Sequence, residues 1–128
     1  DNWIYSNLKR KKKIYLFNDV FFNPLRLKSL NKIFEKILKD KKLFSKSGIY
    51  NLGSKNSISK EKFAKNFSKL LYLKHKDFVS IKVNSFLKTK RSKNMAMNCK
   101  KFEKDFKIVL PDINNELLKE SKIYKNFK

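Results

Sequence analysis

Two glycines, two prolines, one cysteine and one histidine are all that this chain of 128 residues holds of those types. With so little glycine there is no turn of the GxGxxG kind. Gly48 and Gly53 instead flank the apolar stretch Ile49-Tyr50-Asn51-Leu52, so a pyrophosphate finds no bare backbone to approach. A lone Cys99 excludes an internal disulfide framework and any multi-cysteine zinc site, and it makes a reducing, cytoplasmic setting the expectation. No apolar run approaches the ~20 residues that span a bilayer. The opening Asp1-Asn2-Trp3-Ile4-Tyr5 lacks the basic then apolar order of a signal peptide. Neither a membrane partner nor a leader is therefore expected. An initiator Met is also missing, which predicts that the chain begins partway through a longer product.

Acidic residues are the last scarcity: 11 Asp and Glu stand against 33 Lys and Arg, for a formal net charge of +22. Such an excess releases counterions from nucleic-acid phosphates whatever the base sequence, so a small lysine-rich module binding nucleic acid is one reading. The make-up of the excess disfavours it. Only Arg10, Arg26 and Arg91 are arginine, whereas bidentate phosphate and guanine recognition favours arginine's planar fork. Lysine, asparagine, isoleucine and phenylalanine are enriched together, as A+T-rich codons would supply. Beyond the cluster Lys9-Arg10-Lys11-Lys12-Lys13, lysine recurs every few residues without forming a tail. Most lysines are accordingly read as the solvated faces of helices.

What is abundant is apolar pattern: 41% of the chain is hydrophobic, enough for a core at one-domain length. Lys13-Ile14-Tyr15-Leu16-Phe17 reads as a short strand broken by Asn18-Asp19. Leu27, Leu30, Phe34, Ile37 and Leu38 recur at helical spacing and predict a helix over about 28–41 with those residues as its core face. Gly48 to Gly53 predicts a compact strand. Ser59 is placed to cap a helix whose apolar face is Phe63, Ala64, Phe67, Leu70 and Leu71. Phe78, Val79, Ile81 and Val83 predict another extended piece, and Asn98 is placed to cap a short helix carrying Phe102 and Phe106. Pro111-Asp112 opens a last helix with Ile113, Leu117 and Tyr124. Short strands alternating with helices in this order predict an α/β fold with some parallel pairing.

Three of these segments carry a resemblance. GIYNLGSKNSISKEKFAKNFSKLL, over 48–71, resembles the strand, polar loop, serine and Phe-Ala helix of dTDP-4-dehydrorhamnose reductase and related nucleotide-sugar reductases. Upstream, KIYLFNDVFFNPLRLKSLNKIFEKIL is similar to that family's strand, Asp-containing loop, proline and helix. Downstream, TKRSKNMAMNCKKFEKDFKIVLPDI is similar to its Arg-Pro-x-Asn segment and Leu-Pro-Asp approach to the last helix. The resemblance implies the carboxy-terminal portion of an extended short-chain dehydrogenase/reductase without its dinucleotide-binding half, residues 1–128 forming one substrate-binding domain. The implied full-length protein reduces the keto group of a nucleotide-linked sugar with NADPH or NADH, in cell-surface polysaccharide or other deoxysugar synthesis. This chain alone is expected to bind no cofactor and to hold no catalytic residue and no metal.

By the same resemblance, Asn23 lies near the sugar, and Arg91 with Asn94 near the diphosphate. Ser92, Met95 and Asn98 depart from the family's proline, serine and aspartate, which implies an altered substrate site. The family's catalytic YxxxK pattern occurs as Tyr5 with Lys9, Tyr72 with Lys76 and Tyr124 with Lys128, but so many lysines produce such pairs by chance, and none is taken as catalytic. His75 lacks a carboxylate or second histidine at helical spacing and reads as solvent-facing; Cys99 lacks a partner base and reads as a buried or incidental thiol. The implied partners are a nucleotide-diphosphate sugar and either an upstream Rossmann half or a second copy of the chain. Without such a partner the chain is expected to be oligomeric or marginally stable.

Overall fold

The computed structural model describes residues 5–7, 10, 13–73 and 78–126. The chain runs β1 (Ile14–Phe17), β2 (Phe21–Phe22), α1 (Leu27–Lys39), α2 (Lys41–Phe44), β3 (Ile58–Ser59), α3 (Lys60–Leu70), β4 (Phe78–Ile81), α4 (Val83–Phe86), α5 (Lys100–Phe106) and α6 (Ile113–Lys125). β1 and β4 pair in parallel, Ile14 opposite Phe78 through Phe17 opposite Ile81, across the crossover that contains α1 to α3. β2 pairs antiparallel with β3, and on its other side Phe21 bridges Asn94 in parallel. The expected alternation of short strands and helices, with a parallel pair, is therefore present. No helix of the described residues is long and apolar enough to cross a membrane.

Two apolar clusters hold these elements. The first joins the inward residues of β1, Ile14 and Leu16, to Ile58, to Ala64, Phe67 and Leu71 of the α3 region, and to Ile113 and Leu117 of α6. α3 forms where its sequence places it: the Ser59 hydroxyl accepts the Lys62 N–H at 3.1 Å, and the 3.6-residue period lays Ala64 and Phe67 on the core. α6 begins likewise at Asp112, whose carboxylate accepts the Asn114 N–H at 2.8 Å. The second cluster packs Ile33 of α1 against Cys99, Phe102, Phe106, Ile108 and Leu110, with the Phe102 and Phe106 rings stacked at 4.6 Å between centroids.

Three local expectations are corrected. Residues 48–53 form no strand. They are held by single contacts, such as the Tyr50 hydroxyl on the Asp105 carboxylate at 3.1 Å, and no neighbouring strand supplies a ladder. In α1 the core residue is Ile33, absent from the predicted stripe, while Leu27, Phe34 and Leu38 face outward, so the helix is turned toward one edge of its apolar arc. Finally, Cys99 occupies the N-cap position of α5, and Asn98 beside it accepts the Lys100 N–H at 3.1 Å.

The start of α1 depends on a residue distant in sequence. Arg26, its N-cap, has no side-chain cap of its own, and its first turn holds no acid. Glu116 of α6, 2% exposed, supplies one: its carboxylate accepts the Arg26 N–H at 2.9 Å and the Ser29 hydroxyl at 2.8 Å. A capping-box glutamate does this from within its own helix; here it comes from another, and it also places negative charge at the positive end of α1. The Arg26 guanidinium meanwhile pairs with Glu120 at 2.7 Å. Replacing Glu116 with Ala leaves a half-buried N–H and a half-buried hydroxyl without their acceptor and should cost about 2 kcal/mol. Ser29→Ala removes one bond and should cost about 1 kcal/mol. Urea unfolding of the two variants checks this order, and equal midpoints would refute the shared cap.

Candidate functional site

β2 ends at Phe22 because the chain then meets Asn23-Pro24, and a proline has no N–H for a further ladder bond. The pairing is carried on by a side chain. Alongside β2, Phe21 donates to Lys93 O at 2.8 Å and accepts from the Met95 N–H at 2.9 Å. Two residues further, the Asn23 carboxamide takes over: Oδ1 accepts the Met97 N–H at 2.8 Å, and Nδ2 donates to Met97 O at 3.0 Å. Nδ2 also donates to Ser54 O at 3.1 Å, while the Ser54 N–H returns to Asn23 O at 3.0 Å. Asn23 thus ties three segments, around residues 23, 54 and 97, with both amide hydrogens and its oxygen in use.

Between the two tied strands of chain, residues 54–57 and 96–100, lies a cleft of about 320 Å³ floored by Asn23, Glu103 and Leu110. Lys55 and Lys100 stand exposed on opposite walls, while the Ser54 hydroxyl is buried with no hydrogen-bond partner. The first wall is anchored to α6 by Lys55 N–H to Pro111 O at 2.7 Å and by the Asn56 amide on the Asp112 carboxylate at 2.6 Å. Below the second wall the Cys99 thiol is buried and donates to Met97 O at 3.6 Å. Burial pushes its pKa up, which disfavours the thiolate.

Asn23 is buried at the base of the cleft, with its amide committed to backbone groups. Asn94 sits on the same pairing two residues back, its Oδ1 accepting the Ala96 N–H at 3.1 Å. Arg91 is exposed on the stretch leading into that pairing. Neither Arg91 nor Asn94 lines the cleft. Tyr5 packs on Tyr124 at 5.1 Å and Tyr72 lies under the Lys125 ammonium at 4.0 Å, whereas Lys9, Lys76, Lys128 and His75 fall outside the described residues. Among the described residues no group of three or more His, Cys, Asp or Glu is placed to hold a metal ion. Sequence reasoning missed Ser54, Lys55, Asn56 and Lys100. The available signal was Gly53, whose missing side chain marks a close backbone approach just before the wall.

Two outcomes follow from this geometry. A Cβ on Gly53 would lie 2.6 Å from Asn23 O and 2.7 Å from its Nδ2, so Gly53→Ala must break the junction and should lower stability by at least about 2 kcal/mol. A melting temperature within error of wild type would refute the close approach. The Asp112 carboxyl is held below its ordinary pKa, first by the Asn114 N–H and further by the Asn56 amide. Its folded pKa being the lower one, the stability it contributes is complete above the unfolded value near 3.8 and is lost as pH falls through the folded value. Asp112→Asn should therefore flatten the acid limb of the stability profile below about pH 4, which denaturant titrations at successive pH values measure.

Comparison with known proteins bears on the whole chain. By structure it is similar to dTDP-4-dehydrorhamnose reductase from Bacillus anthracis, in complex with NADP, with a TM-score of 0.79 at 17% identity over 95% of this chain and 42% of that one. The same enzyme from Yersinia enterocolitica matches with a TM-score of 0.74 at 19% identity, again over 95% and 42%. A dTDP-4-dehydrorhamnose reductase from Clostridium acetobutylicum matches at 0.76 and 14% over 98% and 44%. The chain thus spans less than half the length of these structures, and their likeness carries the fold. Among curated protein sequences no match is found. The family profile described as RmlD substrate binding domain matches residues 2–125, nearly the entire chain, and the chain belongs to that family.

Proposed function

We propose that this chain is the substrate-binding part of a nucleotide-sugar reductase and is not catalytic on its own. The observation that carries the reading is the family match over residues 2–125 together with the polar cleft that the Asn23 junction holds open. In this reading Asn23 is a positioning residue: it fixes the walls that present Ser54, Lys55 and Lys100. Arg91, exposed on the chain that leads into the second wall, supplies the guanidinium for the diphosphate, and Asn94 holds that stretch against β2. The described residues do not fit a dinucleotide. Gly53 is filled against Asn23, Gly48 stands beside the Tyr50 ring, and neither opens a helix as a phosphate-binding turn does. NADPH or NADH and the reducing step are therefore assigned to a separate dinucleotide-binding half.

A surface suited to that half is present. Parallel strands are normally covered on both faces. Here Ile14 and Leu16 cover the inner face, while Tyr15, Phe17, Val79 and Ile81 project the other way, with Phe86 stacked on Tyr15 at 5.1 Å as partial cover.

Calorimetric titration with a thymidine diphosphate sugar tests the reading. Saturable binding is expected, weakened about tenfold or more by Arg91→Ala, since a charge-assisted contact of ~1.5 kcal/mol is lost. NADPH should give no saturation. Absence of nucleotide-sugar binding, combined with duplex DNA binding that weakens steeply with salt, would replace this reading with the basic nucleic-acid module.

A further inference from the structure

We propose that the outward stripe of α1 is a docking face for an anionic lipid surface. Leu27, Leu30, Phe34 and Leu38 follow one another at spacings of three, four and four and so form one line along the helix. Leu30 is half-buried, and the rest of the line is open: Leu27 is 77%, Phe34 47% and Leu38 67% exposed, and Phe44 of α2, just past the turn at Asp40, is 65% exposed. Burial of Ile33 in the second cluster fixes the rotation of α1, so the stripe does not turn inward.

The charge beside the stripe selects the occupant. Lys28, Lys32, Lys36 and Lys39 occupy the exposed flank of α1, followed by Lys41 and Lys42, with Glu35 the only acid on the helix. A second copy would bring the same lysines and another +22 against this face, which repels. A bilayer surface rich in acidic headgroups offers both parts of the match. It provides acyl boundary for the leucines and phenylalanines, and negative charge within reach of lysines whose stems lie along the apolar surface. The absence of a spanning segment does not bear on a helix that lies in the interface plane.

Co-sedimentation of the full chain with sucrose-loaded vesicles of equal phosphatidylglycerol and phosphatidylcholine tests this. Binding is expected to those vesicles and not to phosphatidylcholine alone. The double variant Leu27→Ser with Leu38→Ser should lower the partition coefficient about tenfold or more at unchanged circular dichroism. Val109→Ser, at a side chain 78% exposed elsewhere, should leave it unchanged. Lack of binding to the acidic vesicles overturns the proposal, as does wild-type binding by the double variant, which would leave only diffuse charge. A dimer in solution that the double variant dissociates would assign the stripe to a second copy instead.

Discussion

Everything at the cleft hangs on one buried carboxamide. An amide removed from water costs several kcal/mol unless its donors and acceptor are used. Asn23 meets that condition by behaving as a spare peptide group, taking one N–H and returning one to the carbonyl of the same residue, Met97. It is needed where it stands because Pro24 ends the backbone's own capacity to pair. The second amide hydrogen reaches Ser54 across the cleft, which requires the chain at residue 53 to come within contact of Asn23, and only glycine permits that. One side chain thereby dictates the residue type at a position thirty residues away and the separation of the two walls.

The same economy explains the charge. Most of the described carboxylates are occupied by a donor. Asp19 holds the Val83 N–H, Asp40 caps α2, Glu103 holds the Leu110 N–H, Asp112 caps α6, and Glu116 caps α1 from outside. These five acids each stand where a backbone N–H needs an acceptor. The lysines meet no such need. Lys65 with Glu61 and Lys93 with Asp19 are ion pairs at the surface, worth little in stability. The scaffold thus uses its few acids for folding, while the cations behind the excess of +22 take little part in it.

Where a feature is set by neighbours within a few residues, the sequence shows it. The Ser59 and Asp112 caps, the Phe67 face of α3, the β1 strand and the order that makes β1 and β4 parallel were all legible for that reason. Features set by distant partners were not. The Glu116 cap acts across ninety residues and leaves no local pattern. The stretch from Gly48 to Gly53 has strand composition, yet a strand needs a ladder partner, and no composition guarantees one. In α1 the apolar arc is wide enough to bury more than one edge, and tertiary packing on Phe102 and Phe106 chose Ile33. At the site, Asn23 was expected beside a sugar, and its use on backbone groups was not legible because it depends on where residues 54 and 97 end up.

The titratable groups around the cleft are taken up by the fold. The Asp112 carboxyl is held below its usual range by backbone N–H groups, and burial drives the Cys99 thiol the opposite way. Glu103, the one acid on the lining, is tied to the Leu110 N–H, and the lining holds no histidine. A general acid or base works best with a pKa near the working pH and a free path to the reacting atom. The Glu103 and Asp112 carboxylates are instead committed to backbone donors. What the lining does present is hydrogen-bonding groups fixed by the fold, such as Ser54 and Asn56, beside two exposed cations, Lys55 and Lys100.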